Sequence, residues 1–346
     1  MTARSSIWPH VPLASVASVL VFAFCARAEA PVTAIQSGPS LDARWARALE
    51  GVAAKSGDGV VWVGWSVRRP EEAVIMSDAG TEVKPGRGGR PLREHVGLDI
   101  DNAKRRVAFL FAFPIGQGDE ERIVATRLRS LWTPIDLGSA PLMWLGEAED
   151  AESVALLERI FAEVRSPDVR TEFGPMVAIH ADTRVALPVL RRIVRGDLPE
   201  EVRAEAIAWI GYQLPDPEVT EVVAEVLERG PSLAILDEAL GALVPAEIIR
   251  RGLLDRLVDL LRDHPDPQAR ALVAEALEPY DHPLAVAALE AAARNDPTAV
   301  VRLEAVDALA DSGMRGAEQA LARIAIDAGD PDVRREATDH LEDDSM

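Results

Sequence analysis

Cysteine is all but absent from this chain. The only one, Cys25, falls in an opening stretch laid out like a secretory signal: Arg4 gives a weakly positive start, Val11 to Phe24 form an apolar run, and Ala26-Arg27-Ala28 fits the small-residue pattern of a cleavage site. With residues 1–28 read as a signal peptide cut after Ala28, the mature chain holds no thiol. That excludes disulfides, thiolate nucleophiles and Cys-ligated zinc, and leaves the core to stand on packing. The apolar run is too short to cross a bilayer. Phe24 also stands where a lipoprotein needs a small residue before the cysteine. An exported protein, periplasmic or extracellular, with no transmembrane span after cleavage is expected.

Lysine is nearly as scarce: Lys55, Lys84 and Lys104 are the only three, all in the first third of the chain. Charge divides the sequence. From Glu29 to Leu145 there are 15 basic and 15 acidic residues, whereas from Gly146 onward 20 basic residues face 42 acidic ones, a net charge of −22. A surface so acidic repels phosphate backbones, so nucleic acid is excluded as a partner of the second part. Its acidity either keeps an exposed array soluble or serves a basic partner.

Motifs of chemistry are missing too. There is no HExxH, no pair of histidines at helical ligand spacing, no Gly-x-Ser-x-Gly elbow and no phosphate loop in the glycine-rich stretch 80–95. That stretch carries Lys84, Arg87, Arg90 and Arg93 and reads as a basic arm for an anionic surface, the acidic part of the same chain being the favoured one. Asp99-Ile100-Asp101-Asn102 opens like a calcium loop, but Ala103, Lys104 and Leu110 occupy positions that need an oxygen ligand, a glycine and a glutamate. His180, His264 and His282 lie at helix ends or turns and read as caps or solvated side chains. No catalytic, metal-binding or cofactor-binding residue is assigned, and no cofactor is expected.

What is present falls into two blocks. Residues 41–145 read as a small α+β domain: a helix over 41–57 ending at a glycine, then strands over 60–67, 72–77, 106–115 and 122–131, rich in β-branched and aromatic residues. The unbroken apolar run AFLFAF suits a buried strand, and the alternation of IVATRLRS suits a sheet covered on one face. Trp62 and Trp65, three apart, fall on opposite faces of one strand, and core packing is the expected role of most tryptophans here. The stretch 134–150 reads as a packed junction.

Residues 151–342 repeat. Single arginines after a small or β-branched residue, Val169-Arg170, Val202-Arg203, Ala269-Arg270, Val301-Arg302 and Val333-Arg334, are spaced by 33, 67, 32 and 32 residues, and a degenerate copy at Ile235-Leu236 divides the long gap. Six helix pairs are predicted, each second helix starting beside a proline and an acid, as in Pro167-Asp168, Pro199-Glu200 and Pro331-Asp332. DPTAVVRLEAVDAL at 296–309 and DPDVRREATDHL at 330–341 resemble short bacterial HEAT repeats, as does LPEEVRAEAIAWIG at 198–211, while 217–244 is the weakest copy. The resemblance implies a mainly α fold, a HEAT-type α-solenoid of about six helix-pair repeats after the small domain. It also implies that Arg170, Arg203, Arg270, Arg302 and Arg334 join an acid-arginine ladder between repeats. The missing arginine at Leu236 interrupts that ladder at the third unit. Two residues beyond the aligned position stand Glu172, Glu205, Glu238, Leu272, Glu304 and Glu336. If second helices line the concave side, as in the family, these five glutamates form an inner stripe for a basic partner; otherwise they solvate the helix or pair with arginines. The expected function is a non-catalytic scaffold or protein interaction module. The alternatives are an enzyme subunit or a small-molecule sensor built on 41–145.

Overall fold

The computed structural model of the chain describes residues 32–34, 38–69, 96, 104–116, 122–131, 137, 140–213, 216–242 and 252–343. The readings placed on 1–28, 72–77, 80–95 and 99–102 lie outside them. Five strands, β1 (Val32–Ala34), β2 (Val60–Arg68), β3 (Arg106–Pro114), β4 (Ala125–Ser130) and β5 (Leu142–Glu147), form one sheet in the order β1-β5-β2-β3-β4. The β1, β5 and β2 strands run parallel, and β3 runs antiparallel to both its neighbours, β2 and β4. Helix α1 (Leu41–Ala53) starts at Ser40, whose Oγ accepts the Ala43 N–H at 3.3 Å, and stops short of Gly57.

One reading needs correction. Residues 142–147 are no mere junction but an interior strand between β1 and β2. Leu142, Met143, Trp144 and Leu145 are all buried, because an interior strand covered on both faces shows no apolar–polar alternation to betray it.

Alternation along β2 sends Trp62 and Trp65 to opposite faces, as their spacing requires. Trp62 joins Leu110, Leu131, Leu142 and Trp144 on the smaller apolar face, with the Arg127 guanidinium 5.7 Å from the centre of its ring. On the larger face Trp65 meets Trp45 of α1 edge-on at 5.8 Å and stacks on Phe111 at 5.4 Å. Gly64 faces the smaller side, where a Cβ would come within 2.5 Å of the Phe109 carbonyl oxygen. Only glycine allows β2 to lie so close to β3.

Two rows of helices follow. The first helices of successive units are α2 (Asp150–Glu163), α5 (Thr183–Arg195), α7 (Asp216–Glu228), α9 (Leu254–Asp263), α11 (Pro283–Asn295) and α13 (Ala317–Asp327). The second helices are a broken pair, α3 (Pro167–Thr171) and α4 (Phe173–Ala178), then α6 (Glu200–Gln213), α8 (Leu233–Gly241), α10 (Pro267–Ala276), α12 (Ala299–Asp311) and α14 (Pro331–Asp343). This is a mainly α fold, an α-solenoid of six helix pairs after a small sheet domain. Through the fifth unit, second helices of neighbouring units pack more closely than first helices do, which places them on the inner side of the curve. Gly174 and Gly211 mark that closeness: a Cβ on either would lie 3.1 and 2.7 Å from Ala206 and Ala242 of the next unit.

Sheet and array share one continuous core. The larger face of the sheet packs on α1 and on the first unit, where Phe111 lies 6.0 Å from Phe173. Here His180 departs from its expected role at a helix end. It is 2% exposed and stacks on Phe109 at 5.3 Å, because the sheet lies over it. The Trp65 indole N–H donates to Ser153 Oγ at 2.8 Å, so the serine hydroxyl is left to donate to His180 Nε2 at 2.8 Å, and Nδ1–H donates to the Val177 carbonyl at 3.0 Å. His282 does cap its helix, Nδ1 accepting the Leu284 N–H, and His264 Nε2 bonds the Pro231 carbonyl of the preceding unit.

Burial lowers the pKa of His180 below the ordinary 6.5, with Asp150 opposing. As pH falls below 6.5 the unfolded chain binds a proton that the native state refuses, so stability declines. Urea titrations at stepped pH should show His180→Gln lowering this slope by up to about 1.4 kcal/mol per pH unit; an unchanged slope would show that the imidazole is not the group that titrates.

Candidate functional site

The aligned arginines share one primary contact. Arg170 Nε donates to the Val164 carbonyl at 2.7 Å, Arg203 Nε to Val194 at 3.1 Å, and Arg270 and Arg302 Nη1 to His264 and Asp296, each at 2.7 Å; Arg334 Nη1 reaches Ala328 in the same way. Val164, His264, Asp296 and Ala328 are the C-caps of the first helices of the same units. Each guanidinium therefore satisfies a carbonyl that its helix cannot, at the negative end of the helix dipole.

An acid joins only two of them, Arg270 and Arg302, and these two rungs link the last three units. Arg270 makes a bidentate pair with Asp296 (Nε–Oδ2 2.8 Å, Nη2–Oδ1 3.0 Å) whose side chains are 8% and 6% exposed, and Arg302 reaches Asp330 Oδ2 at 2.5 Å. Burial opposes ionisation of Asp296, yet the Arg270 hydrogen bonds hold its carboxyl below the ordinary range. A rung needs an arginine in one unit and an Asp-Pro in the next. Leu198-Pro199 and Gly230-Pro231 offer no acid to Arg170 and Arg203, and Leu236 offers no cation to Asp266. Arg170 lies over the Phe161 ring instead, at 5.2 Å.

The other arginines sort by row. On the first helices, Arg191, Arg192 and Arg195 of α5 pair with Glu221, Glu158 and Glu225 of the flanking units, and Arg323 of α13 pairs with Glu290 of α11 at 2.6 Å. Exposed pairs of this kind stabilise little, but they neutralise these four acids of the outer row.

The inner row is left unneutralised. Among the described residues none of Glu172, Glu205, Glu238, Glu304 and Glu336 pairs with an arginine or lysine. Glu205 accepts the Trp209 indole N–H at 2.6 Å. Desolvation by the surrounding protein, then the Glu205 charge, raise the pKa of Glu172, against the pull of Arg129 and Arg127 of β4. Desolvation, then Asp237 and Glu205, raise Glu238. Desolvation, then Glu275, Asp307 and Asp311, raise Glu304. Leu272 leaves the stripe a gap beside which stand Glu275, one turn on, and Glu278, in the turn just past the end of α10. These acids, with Asp307 and Asp311 at i+3 and i+7 from Glu304, escaped a search confined to one aligned position; the helical i, i+3, i+7 rule would have found them.

Ser153 and His180 touch, but both are buried under the sheet. Trp65 lies within the larger apolar layer and Trp62 within the smaller one. A groove of about 410 Å³ between sheet and first unit has an apolar floor that includes Trp45, Phe113 and Ile160, and Arg122, Glu163 and Arg165 also line it. Asp307, Glu336 and His340 are the one group of three side chains, among the described residues, placed as metal ligands.

Residues 254–342 match the family of HEAT repeats. The match covers the units in which the ladder is complete, and HEAT repeats fit a scaffold or interaction module. No curated protein matches the chain. Among solved structures, Escherichia coli YibA is similar at 18% identity over 56% of this chain and 71% of its own, with a TM-score of 0.38. Human deoxyhypusine hydroxylase, solved with glycerol, is similar at 20% identity over 55% of this chain and 84% of its own, with a TM-score of 0.25. Likenesses this loose carry no argument about function. No helix among the described residues is long and apolar enough to cross a membrane.

Two outcomes follow from the charge arrangement. Arg270→Ala leaves the half-buried Asp296 without its cation and should cost about 3 kcal/mol, whereas Arg334→Ala, which loses a carbonyl cap, should cost about 1 kcal/mol; equal losses in urea denaturation would contradict the ladder. Glu238, with its raised pKa, costs stability when ionised, and the native state regains it by taking up a proton before the unfolded chain does, as pH falls toward 4.5. Glu238→Gln should therefore raise Tm by about 1 °C at neutral pH, a gain of a few tenths of a kcal/mol, and the gain should vanish by about pH 4.

Proposed function

We propose that this protein is an exported, non-catalytic interaction scaffold whose acidic inner face receives a cationic segment of a partner protein. One observation carries the reading: arginines of the first helices pair with Glu158, Glu221, Glu225 and Glu290, while Glu205, Glu238, Glu304 and Glu336 of the second helices pair with no arginine or lysine among the described residues. Solubility alone requires no such partition, since acids on either row keep an array dispersed. Repulsion along the face costs stability in the free protein. A lysine- or arginine-rich segment laid across second helices would relieve it and would be drawn in by the field of the groove.

Export rests on the signal-like layout of residues 1–28, and the non-catalytic role on the closed Ser153–His180 contact. The partner's surface is basic by the same electrostatics, and nucleic acid is disfavoured.

A fluorescent lysine/arginine-rich peptide tests the reading by anisotropy. The triple variant Glu205→Gln, Glu238→Gln, Glu304→Gln should weaken binding about tenfold or more at low salt, with the difference shrinking as salt rises. Neutralising Glu158, Glu221 and Glu225 removes the same formal charge from the outer row and should leave affinity within about twofold. Equal losses in the two triples would mean that net charge alone attracts the peptide.

A further inference from the structure

The inner faces of the last two units meet at side chains that ion pairing leaves incomplete. Glu336 and His340 lie one turn apart on α14, and Asp307 faces them from α12. His340 Nε2 is 3.0 Å from Asp307 Oδ1 and 3.9 Å from Glu336 Oε1, and one ligand atom from each residue falls within 4.8 Å of the others. All three are half-buried. Around one dication with ligand distances of about 2.0–2.2 Å, adjacent ligand atoms sit roughly 3 to 3.6 Å apart. Small side-chain rotations would bring the group to that spacing.

A hydrogen bond accounts for the contact of His340 with Asp307. It does not account for Glu336, which lies outside bonding distance of the same nitrogen yet faces it. The arginines of these two helices do not answer the charge. Arg302 holds Asp330 and the Asp296 carbonyl, Arg334 holds the Ala328 carbonyl, and Arg335 pairs with Asp332. Glu304 adds a further carboxylate on the same face of α12.

One imidazole and two carboxylates make a mixed nitrogen and oxygen set, suited to Zn²⁺, Mn²⁺ or Fe²⁺; Ca²⁺ and Mg²⁺ prefer oxygen alone. We propose that Asp307, Glu336 and His340 form a divalent transition-metal site that bridges the second helices of the last two units. Three protein ligands leave a position for water, so the ion would be held at the surface of the groove. Its ligands come from two repeats, so binding would clamp the terminal unit onto its neighbour. The site shares the inner face with the proposed peptide groove but stands or falls without it.

Calorimetric titration of the untagged chain with zinc chloride, in the absence of any peptide, tests this, with thermal melts alongside. The expected result is one ion per chain and a zinc-dependent rise in Tm. His340→Ala and Asp307→Asn should each weaken binding about tenfold or more and abolish that rise. Glu336→Gln retains the hydrogen bond of His340 with Asp307 and should still weaken zinc binding, which a purely structural contact would not do. Glu318→Gln, exposed on α13, removes the same charge and should change neither readout. Absence of saturable binding, survival of binding in His340→Ala and Glu336→Gln, or an equal loss in Glu318→Gln would each overturn the site.

Discussion

Each helix pair in this chain has more apolar surface than it can cover by itself, and this constraint organises the whole molecule. A pair closes its flank only against the next pair, so the array needs something to close its first flank. The sheet serves that purpose. Its larger face sets Trp65, Phe109 and Phe111 against Ser153, Phe173 and His180, so that the core runs from strand to helix without a break. The buried Trp65–Ser153–His180 chain satisfies the polar groups this contact would otherwise strand. A bare array end becomes an interior surface.

Cation supply is the second constraint. With no lysine beyond Lys104, arginine alone neutralises the solenoid. The aligned arginines go to helix-end carbonyls first and to the aspartate of the next Asp-Pro where one exists. Arg191, Arg192, Arg195, Arg256, Arg294 and Arg323 bridge first helices. This allocation stabilises stacking on the outer row and leaves the inner row charged, so the same residues that hold the units together define where a partner of opposite charge would lie.

Much of this was legible in the sequence because repetition shows a position several times. The arginine register located every unit, Leu236 marked the interrupted one, and the prolines marked where second helices begin. Trp62 and Trp65 disclosed their opposite faces through the period of a strand. What escaped notice lacked a period or needed long-range contact. The LMWL strand is buried on both sides and reads as any short apolar run. His180 stands next to a turn in the chain but beneath a sheet whose interior strand comes more than 30 residues earlier. Glu275, Asp307 and His340 join the inner face through helical geometry across units, which alignment on a single column does not reveal.

The central claim is that the inner and outer rows differ in what they can bind. Hydrogen–deuterium exchange, with and without a saturating cationic peptide, locates the contact on the chain itself. Protection confined to residues 200–213, 233–241 and 299–311, with the first helices unchanged, is the predicted result. Protection of the first helices, or no protection under conditions where the peptide is bound, would contradict the account.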